Sequence, residues 1–582
     1  MNALLIDLLG AILLLSGAGS AEDLSESEME RFEHYYRHPL PVNQVPRSRM
    51  LSSGLFSAYQ VAAIEEYRLN SGDILGPTEL SLVDGIGPAA AEALCYFVSF
   101  DSALPPGSRE NKRVRQSLMA RGSVRWKGDP AVRADAAGSK YHLQAGERAE
   151  FYWSGRNTYT NQDFAPGTFS LGLYSRRGSR LMLGDFAARF GQGLVLWSSY
   201  SMSGFGGVAA FRRNATGFAP TGSFSPALSG IALDVPIGRW SVGAALGSGA
   251  LRRSLAGGKQ AFASGIDATP IAFVSYLGRR GQFGLQALHK DGAVVSADGA
   301  LGLGHWTLFG ESAVSSKLVR ENGYLIRRTR LAVVGGAGWA PAYKTRLVAL
   351  ARYYPADFYS PYAGAPRSAS KTSDETGLSL GAQWRWAEAT IDAAYHPEKG
   401  TSHYKVLLSY APELSLSEVL LKPVFRWTSR FRPEEVTPWR HELRADLKAT
   451  GGPFSANCRL HQVRSKEYGA LGYIEAGFVS KSNGTGRADG GRAASSVRQL
   501  SLWLRATAFR AENWADRVYC YERDVPGAFT VPAYYGRGRA VSFYAGLKYG
   551  KHSFWLKSSL LRYHINTKAP SSEIRLQYLI EL

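Results

Sequence analysis

From about residue 111 to residue 582 the side chains change character at every second position. "SSEIRLQYLIEL" (571–582) sets Ile574, Leu576, Tyr578, Ile580 and Leu582 against Arg575, Gln577, Leu579 and Glu581. "HELRADLKAT" sets Leu443, Ala445, Leu447 and Ala449 against Glu442, Arg444, Asp446 and Lys448. A period of two is that of a strand whose faces meet different surroundings. "PIAFVSYLGRRGQFGLQALHK" carries two such runs joined by Gly278-Arg279-Arg280-Gly281, a hairpin signal, and "GTFSLGLYSRRGSRLMLGDF" repeats the plan around Arg177-Gly178.

Soluble sandwiches alternate too, so the surroundings of each face decide the class. Here charges on one face are matched by continuous aliphatics on the other, the reverse of a wall that faces water. Tyr and Trp crowd segment ends, as in "RYYPADFYSPY", "WRW" (384–386) and "YHINT", which suits interfacial girdles. After the N-terminal leader no apolar run is long enough for a spanning helix, and in lipid the remaining way to satisfy the backbone is a closed barrel. Spanning strands take about 9–11 residues. The reading is therefore a mainly β chain: a large antiparallel transmembrane barrel of roughly 16–22 strands over residues 111–582.

The first hundred residues differ. Leu4 to Leu15 form an apolar run followed by Ser16-Gly17-Ala18-Gly19-Ser20-Ala21, the outline of a secretory signal at 1–21, with Gly19 and Ala21 placed for a peptidase. Residues 22–50, acidic and then Pro-bearing ("HPLPVNQVPRSR"), read as an exposed lead-in. Residues 1–100 hold 5 basic and 13 acidic residues, net −8, and the rest holds 63 and 35, net +28. A basic body points to an anionic neighbour such as lipopolysaccharide, an acidic solute or nucleic acid. Three cysteines, Cys95, Cys458 and Cys520, are too few for a disulfide-stapled scaffold, although the last two could pair.

Residues 51–110 read as helical. Val61 and Ile64 share a face in "SAYQVAAIEEYRL", and "SLVDGIGPAAAEAL" (81–94) has two glycines around one aliphatic residue before a small-residue helix. Gly85, Ile86 and Gly87 would form a tight turn whose N–H groups make an anion nest. Leu80, Val83, Ile86 and Leu94 would pack the two helices. This segment, with a degenerate copy at "SSGLFSAYQVAAIEEYR", resembles the tandem helix-hairpin-helix of competence-type DNA-uptake proteins. DNA grips need Lys and Arg on phosphates. From Ser71 to Phe100 there is none, while Asp73, Glu79, Asp84 and Glu92 are present. The electrostatics favour a structural or protein-contacting hairpin.

The whole chain resembles a family of Gram-negative outer-membrane barrels bearing a periplasmic helix-hairpin-helix domain. The resemblance rests on "LGDFAARFGQGLVLWSSY" (183–200), with Asp185, Phe190, Gly191, Gln192, Gly193 and Trp197, and on "FRRNATGFAPTGSFSPALSGIAL", with Arg212 and Arg213. It implies an outer-membrane location with the N-terminal domain in the periplasm. The expected function is a non-enzymatic channel, receptor or envelope assembly partner, touching outer-membrane lipid, lipopolysaccharide and other envelope proteins. The alternative is a DNA-binding or DNA-uptake component, with nucleic acid disfavoured by the acidic hairpin. Arg444, Lys448 and Arg575 are candidate lumen charges. The Gly/Ser-rich stretch 198–230 is too long for a tight turn and reads as an external loop or an inward plug. H-E-x-x-H does not occur, and the G-x-S-x-G at 377–381 (GLSLG) lies inside an alternating run rather than at a strand-to-helix turn, so no catalytic residue is assigned. His34 and His38 are four apart, beside Pro39 and without a clear third ligand, so no metal or cofactor is expected.

Overall fold

Each barrel strand in this chain follows its predecessor antiparallel, and the strand Ser571–Glu581 pairs back onto Val114–Lys127 to close the ring. The computed structural model describes residues 26–582 apart from 84, 103–113, 161–162, 176, 198–204, 214, 223–227, 249–267, 279, 322–323, 343–344, 417, 482–497, 529 and 565–568. The expected leader at 1–21 lies outside the described residues. Among them the ring has 24 strands, with short pieces Gly217–Pro220 and Leu414–Leu416 added alongside. The expected 16–22 was too low because one end of the ring wastes few residues. Several connections there take two positions each, such as 238–239, 304–305, 385–386, 452–453 and 550–551.

The wall is built for lipid. In Trp240–Ser248, exposed Trp240, Val242 and Leu246 alternate with buried Ser241 and Ala245. The same reversal places Leu378, Leu380, Ile391, Leu443, Leu447, Ile574 and Leu576 outside, while Glu311, Arg352, Glu475, Lys557 and Glu573 are buried within. Polar residues inside and apolar residues outside leave a belt that only hydrocarbon can cover. Outward aromatics ring the end with tight turns (Trp240, Trp306, Trp384, Tyr410, Tyr549), and others mark the far end (Tyr353, Tyr395, Trp439). No described helix is long and apolar enough to cross a membrane. The chain crosses with strands.

At the tight-turn end sits a small helical domain: α1 (Glu26–Arg37), α2 (Arg47–Ser53), α3 (Ala58–Ser71), α4 (Pro77–Leu82) and α5 (Gly87–Leu94). Ser57 caps α3 reciprocally with Gln60, satisfying two otherwise orphaned N–H groups. Val61 and Ile64 are buried as their spacing required, as are Leu80, Val83, Ile86 and Leu94. Residues 26–50 are not an exposed lead-in. Phe32, Leu40, Val42, Val45 and Met50 belong to this domain's core, and Leu40–Pro41 pairs in parallel with Val98–Ser99. The prolines there end elements without exposing them.

Candidate functional site

A ring of 24 strands encloses more space than wall side chains can fill, so its lumen holds either water or a plug. Two long connections from the end opposite the helices turn inward, and a third braces the first.

The first begins in the strand Arg180–Arg189. Gly184 has φ +84°, where a side chain would collide with the Phe169 backbone. Asp185 fixes this break by accepting the Phe169 N–H (2.9 Å) and the Ser229 hydroxyl. The chain then crosses the lumen. Phe186, Phe190, Leu194, Phe211 and Phe218 pack against wall residues Leu228, Phe273, Phe309 and Leu350 in one apolar core. One carboxylate holds the turn: Glu311 accepts N–H groups from Gln192 (2.7 Å) and Leu194 (3.0 Å), while Ser296 donates to its other oxygen. Gly191 is required because a Cβ there would lie 2.6 Å from Glu311 Oε2. Gln192 Oε1 in turn accepts the Arg213 N–H.

The connection 355–374 clamps this segment from beside. Gly364 N–H donates to Gly193 O, Trp197 N–H to Tyr362 O, and the Ser360 hydroxyl to Val195 O. The Gly/Ser-rich stretch is thus the inward plug of the two expected alternatives, over those of its residues that are described.

The second inward connection, 512–535, is held by charge. Asp524 accepts from Arg575 and Thr530 and lies 3.5 Å from Lys557, which also pairs with Glu522 at 3.3 Å. Wall arginines reach its carbonyls: Arg440 to Ala515 and Arg517, Arg505 to Tyr521, Arg121 to Pro526. Asp516 accepts three N–H groups of the turn 465–467.

The helical domain closes the tight-turn end. Arg49, 1% exposed, pairs with Glu150, 2% exposed, which also accepts from Tyr152 and contacts His142 (3.1 Å). Arg37 (3.8 Å) and His38 (3.4 Å) reach Glu581. His34 meets the His142 ring edge-on at 5.0 Å between centroids. Burial, with His142 adding to it, holds the His34 imidazole well below the usual histidine range. Between this domain and the tips of both inward connections lies a cavity of about 690 Å³, lined by Arg31, Arg115, Lys140, His142, Arg189 and Glu150 among others.

The residues singled out in the sequence now have places. Asp185, Phe190, Gly191, Gln192, Gly193 and Trp197 come together as the hinge and lock of the first plug. Arg212 lies over the Phe309 ring and Arg213 over Trp197, so the basic pair packs on aromatics. Arg444 and Arg575 face the lumen in ion pairs with Asp446 and with Asp524 and Glu573. Lys448 shares the inward face of its strand with Arg444. Gly85 and Gly87 have φ +80° and +70°. In the turn between α4 and α5 the Gly85 carbonyl accepts from Gln60 of α3 and Ile86 N–H donates to Val83 O. Asp84 lies outside the described residues. No disulfide joins the cysteines: Cys458 is exposed and Cys520 is buried. Among the described residues no group of three or more His, Cys, Asp and Glu gathers as a metal site, and His34 and His38 belong to none. Glu311, Asp524 and Lys557 were not found from the sequence, since each acts on residues distant along the chain.

No protein-family model matches the sequence, and no curated protein matches it. Solved structures to which the chain is similar include the translocation pore of the P pilus usher PapC, at 11% identity over 80% of this chain and 99% of that one, with a TM-score of 0.40. Another is a chain of the Escherichia coli P pilus tip assembly intermediate PapC-PapD-PapK-PapG, at 11% identity over 81% and 62%, TM-score 0.47. OccAB3 of Acinetobacter baumannii gives 8% identity over 81% and 99%, TM-score 0.29. These likenesses are distant, and the barrel stands on this chain's own strand pairing.

Proposed function

We propose that this chain is a non-enzymatic outer-membrane barrel shut by its own inward connections. It works as a receptor or envelope assembly partner and conducts only when those connections move. One observation carries this reading: two segments that turn into the lumen are tied to the wall through buried groups. The helical domain is assigned to the periplasm because it shares the end that carries the tight turns, which face that side in such barrels. Its α4–α5 turn is used for packing and protein contacts, since Gln60 occupies the Gly85 carbonyl and no Lys or Arg lies between Ser71 and Phe100. Lipid and lipopolysaccharide cover the outer belt, and the basic body of the chain suits anionic headgroups.

Single-channel recording in planar bilayers tests the plug. The intact chain is expected to be nearly silent, and replacing residues 192–213 by a short Gly/Ser linker is expected to open steady conductance with anion preference. Large steady conductance from the intact chain would sink the reading. Recovery of the intact chain from outer membranes, with its helical domain shielded from external protease, tests the placement.

A further inference from the structure

Three donor atoms converge at the end of the barrel away from the helical domain. His396 closes the strand Ala387–His396, His403 lies in the next strand, Thr401–Tyr410, and Ser368 belongs to the clamp 355–374. Their partners settle where the hydrogens point. His396 Nδ1 lies 2.5 Å from the Asp374 carbonyl and so carries a proton toward it. His403 Nε2 lies 2.9 Å from Glu434 Oε2 and does the same. The Ser368 hydroxyl donates to Glu375 Oε2 at 3.0 Å.

With every hydrogen directed outward, His396 Nε2, His403 Nδ1 and Ser368 Oγ turn lone pairs on one another. The separations are 3.0 Å between the two rings, and 3.2 Å and 3.4 Å from the hydroxyl to His396 and His403. All three residues are buried. Three acceptors facing one another repel unless a cation lies among them, and a proton can bridge only one pair. The point equidistant from these atoms is about 1.9 Å from each, so an ion about 1 Å off their plane lies about 2.1 Å from all three, the distance zinc takes to imidazole nitrogen. Histidines whose second nitrogen is committed to a carbonyl or carboxylate are the arrangement that metal sites use. Glu434 and Glu375 set two negative charges behind the donors. Arg352 offsets part of the charge on Glu375, and Arg432, bonded to the Ser368 carbonyl, and Arg367, next to Ser368 in the chain, are further cations nearby.

We propose that His396, His403 and Ser368 bind one divalent transition-metal ion of the zinc class, whose preference for imidazole with oxygen the donor set meets. A hydroxyl as the third donor is what sets the site apart from one made of His, Cys, Asp and Glu alone. The ion would pin the clamp that grips Gly193 and Trp197, and so secure the first plug.

The test uses the full chain in detergent, stripped with a chelator and titrated with zinc chloride against a chromophoric zinc indicator. One equivalent should bind, and X-ray absorption should read two imidazole nitrogens around the metal. His396→Ala and His403→Ala should each weaken binding by at least about 30-fold. Ser368→Ala should weaken it a few-fold, and Ser368→Cys should strengthen it by offering a thiolate. His34→Ala should leave it unchanged. Heat-modifiable migration checks that each variant folds, and Ser368→Cys, a one-atom change, keeps the test decisive if a histidine variant does not. The proposal is overturned if folded wild type retains no zinc or if His403→Ala retains it equally. It is overturned too if the two imidazoles take up only a proton, seen as NMR titration shifts indifferent to added zinc.

Discussion

Between Phe186 and Phe218 the first inward segment buries phenylalanines and leucines against an apolar wall, with Glu311 and Glu388 accepting its N–H groups and Arg180 reaching its Thr216 and Phe218 carbonyls. Between Trp514 and Tyr534 the second inward connection buries Asp516, Glu522 and Asp524 against Arg440, Arg505, Lys557 and Arg575. Apolar contact is non-directional and tolerates sliding, whereas a buried ion pair fixes one geometry and penalises every other. Apolar area therefore dominates the hold on the first plug, and buried charge fixes the register of the second. The comparison identifies the clamp as the element the first plug needs and the second does not.

The largest expected effects set the two plugs side by side. Phe218→Ala leaves a cavity in the first and should cost about 3–5 kcal/mol. Asp524→Asn removes the carboxylate that Lys557 and Arg575 share, leaving them Glu522 and Glu573, and should cost about 3 kcal/mol. Only the second loss should be largely recovered by a compensating change, Lys557→Met. Denaturant midpoints of heat-modifiable migration measure all three, and equal rescue of both plugs would dissolve the distinction. Glu311→Gln keeps the shape but replaces a charge-assisted anchor, so a loss of about 1.5–3 kcal/mol is expected, read as faster protease cleavage between 192 and 213.

Next comes the docking of the helical domain. The folded pKa of His34 is depressed, so the undocked state binds more protons as pH falls below the ordinary histidine value. Docking should be complete above that value and weaken as pH drops from about 6.5 toward the depressed folded value. His34→Phe should flatten this dependence, measured as the pH at which a protease begins to release residues 26–102. Smallest is the half-exposed Arg125–Glu573 pair, where Arg125→Ala should change stability by about 0–1 kcal/mol.

Alternation made the barrel legible, because a wall between lipid and lumen imposes period two on every strand. The same period sets Arg444, Lys448 and Arg575 on the face opposite Leu443, Leu447 and Leu576. The hinge and lock residues stood out as an unusual glycine-rich run, yet their partner did not, since Glu311 meets Gln192 only after the ring has closed. Residues 26–50 were misread because Leu40, Val42 and Val45 lie among prolines with no helical period, and only packing against α4 and α5 shows their burial. His396 and His403 are seven apart with a turn between them. Hairpin register pairs His403 with Ala394, and no motif of fixed spacing would have signalled that their rings meet.

The helical domain straddles the join between the strands Val114–Lys127 and Ser571–Glu581. Arg37 and His38 hold the Ser571–Glu581 side, and Arg49 holds Glu150 two strands beyond the other. It thus acts as a clasp on the one junction in the cylinder whose neighbours are farthest apart in the polypeptide. A zipper that opens there first would spill its contents sideways into the bilayer, and a buckle over that spot leaves motion along the bore as the easier route.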